Sequence, residues 1–111
     1  MKVEIDQSGK IEDTSKHTVL AFSNTTNRCV LITAKEKRRL QEKFRLLGKP
    51  RLFVDATFAV TLYLLVKPIL KSYPVLIIDV EYPGHTLVIS EMFATLTPVE
   101  VSLRWERIGK Q

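Results

Sequence analysis

The chain has a single cysteine, Cys29, in 111 residues. A lone cysteine cannot close an internal disulfide, and it supplies no thiolate pair for a metal. Glycine and proline are also sparse, at four and five residues, which excludes fibrous and low-complexity chains. The opening Met-Lys-Val-Glu-Ile-Asp lacks the apolar stretch of a signal peptide. The one long apolar run, residues 52–66, lies between Arg51 and Lys67 and contains Asp55, Thr57 and Thr61. A membrane span needs roughly 18 or more residues and tolerates an internal charge poorly, so the run is read as a core helix. Asn24-Thr25-Thr26 matches a glycosylation sequon but is read as a turn in an intracellular chain, and a cytoplasmic location is expected. What remains is 45% hydrophobic and 26% charged, which fits a single α/β domain of ordinary core size.

Periodicity orders the chain. Val3, Ile5 and Gln7 alternate with Glu4, Asp6 and Ser8, predicting a first strand that Ser8-Gly9 ends. Residues 18–22 and 29–32 predict two more strands, separated by the turn-forming residues 24–27, and the three are expected to form an antiparallel meander. Cys29 is expected to pack in the core. Thr33 followed three residues later by Glu36 is a capping-box pattern. The helix it opens carries Leu40, Phe44 and Leu47 on one stripe and stops at Gly48. A more buried helix is predicted from Leu52 towards Pro68. The run Val75-Leu76-Ile77-Ile78-Asp79 predicts a central strand covered on both faces. After Tyr82-Pro83-Gly84-His85 comes a helix over residues 87–96, with His85 at its start and Thr97-Pro98 at its end. Val99, Val101, Leu103 and Trp105 then alternate with polar residues, as in an edge strand.

Two carboxylates hold informative positions. Asp6 follows Val3 and Ile5 in the first strand, just before the Ser8-Gly9 bend, and Asp79 closes the most apolar strand. In open α/β sheets, ligand sites gather at the carboxyl ends of strands. If these strands are parallel neighbours, both acids face one crevice, where their repulsion favours a bridging divalent cation such as Mg²⁺. Glu81, two residues after Asp79, points to the same face.

This element order, over roughly residues 2 to 106, resembles the ribonuclease H-like superfamily. Ile5-Asp6-Gln7-Ser8-Gly9 also resembles the Ile-Asp-x-Ser-Gly opening of an uncharacterised family assigned to that superfamily. The resemblance implies a mixed five-stranded sheet, three antiparallel strands followed by helix-strand-helix-strand, with helices packed on it. It further implies that Asp6 and Asp79 bind Mg²⁺ or Mn²⁺ for two-metal phosphodiester cleavage. The family pattern adds an acid from the first helix, for which Glu42 and Asp55 are the candidates. Asp55 is the better one, because a carboxylate in so apolar a segment needs a partner or a metal. The family's fourth acid, from a C-terminal helix, has no counterpart, since the chain stops at Gly109-Lys110-Gln111 just after the last strand. The expectation is therefore one ribonuclease H-like domain, without that helix, that acts on nucleic acid. The alternatives are a non-catalytic module of the same fold that binds nucleic acid or protein, and a piece or subunit completed by another chain, including a homo-oligomer.

Net charge is +5, yet residues 35–51 alone hold eight Lys and Arg against two Glu. Lys35, Arg38, Arg39 and Lys43 are the candidate phosphate contacts, on a helix face that would bind nucleic acid in a salt-sensitive, sequence-independent way. A merely solvated basic helix is the competing reading.

Overall fold

A computed structural model describes residues 2–23 and 27–107. The predicted turn at Asn24-Thr25-Thr26 and the ending Gly109-Lys110-Gln111 lie outside the described residues. The elements run β1 (Lys2–Ser8), β2 (Thr18–Ser23), β3 (Asn27–Ile32), α1 (Ala34–Leu46), α2 (Leu52–Val66), a short 3₁₀ turn (Lys67–Ile69), β4 (Val75–Asp79), α3 (Thr86–Leu96) and β5 (Ser102–Glu106). The five strands form one mixed sheet in the order β3-β2-β1-β4-β5. β1 and β3 pair antiparallel to β2, whereas β4 is parallel to β1 and β5 is parallel to β4. Parallel neighbours need a crossover; α1 and α2 lie between β3 and β4, and α3 between β4 and β5.

Alternation in the strands sets the two faces. Val3 and Ile5 of β1, Leu20 and Phe22 of β2, and Leu76 and Ile78 of β4 share one core with Phe58, Leu62 and Leu65 of α2 and Ile89 and Phe93 of α3. Burying side chains of this size contributes about 1.5–3 kcal/mol each. Trp105 of β5 packs on the same core, and its indole N–H donates to Ser90 Oγ of α3 (2.9 Å). Glu4 and Asp6 point to the opposite face and are exposed, as β1's alternation requires. Ile77 of β4 also lies on this second face, between its register partners Glu4 and Arg104.

Cys29 corrects the expectation of core packing: it is exposed. β3 is an edge strand, and the inward position falls on its neighbour Val30, which packs against the core.

The helix ends follow local chemistry. Thr33 and Glu36 form the full capping box, and their mutual hydrogen bonds hold the Glu36 carboxyl below its usual pKa. At the other end, the Gly48 N–H donates to the Arg45 carbonyl (3.0 Å) and the Lys49 N–H to the Phe44 carbonyl (2.9 Å). This is a Schellman ending, which needs the positive φ of +74° found at Gly48. The C-terminal carbonyls of α2 are met by Arg28, which donates to Leu65 (2.9 Å) and Leu64 (3.3 Å).

The continuous helical stretch Leu52–Ile69 is long and apolar enough to cross a membrane by length and composition, and half of it is buried inside the fold. The sequence stripe across residues 99–105 becomes a shorter strand, because Val99 and Val101 precede the paired residues of β5.

Candidate metal centre

The β1–β4 ladder pairs Ile5 with Ile78, so the next residue of each strand, Asp6 and Asp79, stands at the same level on the same face. β4 ends there, while β1 runs on to Ser8, still paired with β2. Asp6 is exposed, Asp79 is buried, and Glu81 is half-buried just beyond the strand. Carboxylate oxygens of these three residues all lie within 4.8 Å of one another. The structure therefore brings together Asp6, Asp79 and Glu81.

The backbone under this cluster is fastened from both sides. The Gln7 N–H donates to Asp6 Oδ1 (2.9 Å), fixing that carboxylate against its own strand. Gln7 Nε2 donates to Tyr82 Oη (2.7 Å) and to the Gly9 carbonyl (3.0 Å). Tyr82 Oη also accepts from the Ile11 N–H (2.9 Å). Gln7 follows Asp6 and Tyr82 follows Glu81, so this contact joins the residues next to two of the three acids. Burial pushes the Tyr82 phenol up to about 12, although the hydrogen bonds from Ile11 and Gln7 oppose the shift. The ring meets Phe58 of α2 edge-on, with centroids 5.9 Å apart. Sequence reasoning missed Tyr82 and Gln7 as braces beside the acids; the signal was an aromatic in a turn, whose partner lies 75 residues away.

The Ser8-Gly9 step has a steric cause. Gly9 has φ +79°, and a Cβ there would stand 2.3 Å from the His17 carbonyl oxygen. Any side chain would push the β1–β2 loop away from the strand end that carries Asp6.

Asp55 does not join the cluster, which corrects its expected place as the third acid. It sits near the start of α2, on the helix-covered side of the sheet, and its Oδ1 lies 2.8 Å from His85 Nδ1. The carboxylate did need a partner, and a histidine supplies it. His85 is the N-cap of α3, where the sequence placed it. Glu42, the other candidate, is a surface residue paired with Arg45 one turn along α1. A fourth carboxylate was missed altogether. Glu106 of β5 is the register partner of Asp79 and therefore projects from the same face. Its own partner is Arg104 (3.6 Å). Only the β4–β5 register reveals this neighbour, because its sequence context is that of an ordinary edge strand.

The basic segment divides into two parts. Lys37 is fully buried, and its ammonium donates to the Lys10 carbonyl (3.0 Å), the Asp13 carbonyl (2.7 Å) and Thr18 Oγ1 (2.9 Å). Desolvation lowers its pKa, with Asp13 and Glu12 opposing the shift. Arg38 donates to the Thr14 carbonyl (2.8 Å). These two side chains hold the β1–β2 loop. Lys35, Arg39 and Lys43 are exposed at i, i+4 and i+8, and so form one ridge along α1. α1 packs against α2, on the side of the sheet opposite the acids.

No family model matches the chain, and comparisons with curated proteins and solved structures give no significant match.

The donor set suits a hard divalent cation. It is all oxygen, it comes from two rigid strand ends and a braced turn, and one member is exposed enough to leave room for substrate or water.

Proposed function

We propose that the protein is a divalent-metal-dependent phosphodiesterase of nucleic acid, with a ribonuclease H-like arrangement of its sheet. The observation that carries the reading is the convergence of Asp6, Asp79 and Glu81 at the carboxyl ends of two parallel neighbours. The strand order β3-β2-β1-β4-β5, with only β2 antiparallel to the rest, supports the fold resemblance. Asp6 and Asp79 would hold Mg²⁺ or Mn²⁺, and Glu81 would complete the set from the turn. A bound ion of this kind lowers the pKa of water and stabilises the departing oxygen of a phosphodiester. The protein's own part is to keep the carboxylates in register. Asp79 is fixed by burial, Asp6 by the Gln7 amide, and Glu81 by the anchored Tyr82 beside it.

The test measures Mn²⁺ binding by calorimetry, together with cleavage of single-stranded, duplex and hybrid oligonucleotides. Wild type is expected to bind Mn²⁺ and to cleave at least one substrate, and Asp79→Asn is expected to do neither. Cleavage that survives Asp79→Asn rules out this site. Metal and nucleic-acid binding without cleavage would favour the second reading, a non-catalytic module of the same fold. That reading is favoured by Asp55, which lies apart from the cluster and leaves it without a helix-borne acid.

A further inference from the structure

α2 is apolar on every side, and a helix of that kind is normally covered all round. One stripe of it is not. Val60 and Leu64 are 45% and 48% exposed, and Leu31 of the adjacent edge strand β3 is 51% exposed. Together with Leu40 and Phe44 of α1 they line a groove of about 300 Å³.

The floor is apolar and the rim is charged. Helical geometry puts the ridge Lys35–Arg39–Lys43 directly beside the groove-lining row Glu36–Leu40–Phe44. Among the described residues, Glu36 is the only acid lining the groove. Its carboxylate is already engaged by the Thr33 amide and hydroxyl, both at 2.9 Å. It also lies in the field of Arg39, so one acid stands against three cations and the rim stays net positive.

We propose that this groove docks an acidic amphipathic helix of a partner protein. Apolar side chains at i, i+3/i+4 and i+7 would fill the floor, and Asp or Glu on the flank would face Lys35, Arg39 and Lys43. The occupant is a different protein, because the chain's own helices have the wrong charge. α1 is basic, α2 holds only Asp55, and α3 holds only Glu91 among its charged residues. A concave apolar floor also suits a helix better than a flat lipid surface or a phosphate backbone. The groove lies at the β3 edge of the sheet, against α1 and α2, whereas the carboxylates are on β1 and β4 and the turn beyond, so it does not depend on the metal reading.

The test uses fluorescence anisotropy with a labelled synthetic helix bearing leucines at those spacings and glutamates on its flank. A control peptide has every glutamate replaced by lysine. The acidic peptide is expected to bind wild type saturably and to lose about tenfold or more in affinity with Leu64→Glu. A triple charge reversal, Lys35→Glu with Arg39→Glu and Lys43→Glu, is expected to reverse the preference between the peptides. Val60→Glu repeats the groove test should Leu64→Glu lose its helical circular dichroism. Equal binding to wild type and both groove variants overturns the proposal. So does self-association that the groove variants abolish, in the absence of peptide binding, since the occupant is then a second copy. Binding of RNA or anionic vesicles that Leu64→Glu abolishes, with no binding of the acidic peptide, overturns it as well.

Discussion

Lys37 and Asp79 are both charged and both buried, yet their surroundings are opposite in kind. Around Lys37, three oxygens from the β1–β2 loop and β2 accept all three ammonium protons. Around Asp79, two more carboxylates lie within 4.8 Å, and a third, Glu106, is in register on the next strand. A buried charge that has its complement is part of the framework. One placed close to other carboxylates is where a divalent cation could be held. The contrast separates a charge that holds a loop from the one on which the proposed metal site rests.

The sharpest way to break it is to exchange the two effects. Lys37→Met should cost about 3 kcal/mol, because it leaves buried loop oxygens without a donor. Urea unfolding should show that loss while Mn²⁺ affinity stays near wild type. Asp79→Asn should do the reverse. Its stability without metal should change by no more than about 1 kcal/mol, and the rise in Tm that Mn²⁺ gives wild type should vanish. Equal loss of metal binding in both variants would mean that the loop and the carboxylates are one unit.

Tyr82 comes next in size, since it touches both regions. Tyr82→Phe removes the acceptor for Ile11 and Gln7 and should cost about 1–2 kcal/mol. Its titration has a definite sign. The folded phenol holds its proton to about 12, above the unfolded value near 10. Folding stability should therefore fall as pH rises from 10 towards 12, since the unfolded chain ionises first. The substitution should flatten that alkaline limb, and tyrosinate absorbance should lose its latest-titrating component.

The smallest effect expected is at the start of α1. Thr33→Ala should cost about 1 kcal/mol through the lost cap and leave Mn²⁺ binding untouched. In wild type the same box has an acid dependence. Glu36 is held below its usual pKa by Thr33, so its contribution is present above the ordinary carboxylate pKa and is lost as pH falls through the lowered one. The acid limb of the stability curve should be shallower in Thr33→Ala.

Features governed by neighbours in sequence were readable from it. The alternation of β1, the box at Thr33, the stop at Gly48 and the start of α3 at His85 all depend on residues a few positions apart. Asp6 and Asp79 were readable as strand-end acids because an apolar run followed by a carboxylate marks the end of a buried strand. What failed depended on pairing across the fold. Asp55 found its partner 30 residues away in His85, and nothing in an apolar helix names that residue. Glu106 needed the β4–β5 register. Lys37 looked like one of eight cations in a solvated stretch, and only the loop folded over it shows otherwise. Cys29 was assigned to the core by residue type, but at an edge strand the pleat decides.

The place of β1 in the sheet also bears on when the carboxylates meet during folding. β1 is close in sequence to its partner β2, yet its other neighbour is β4, so that Ile5 must meet Ile78 across a long stretch of chain. Closing so long a loop is slow, because its entropy is lost before the contacts form. As the chain leaves the ribosome, the meander can fold while Asp6 still lacks Asp79. A chain in which β1 and β4 are not yet paired therefore carries these carboxylates without bringing them together.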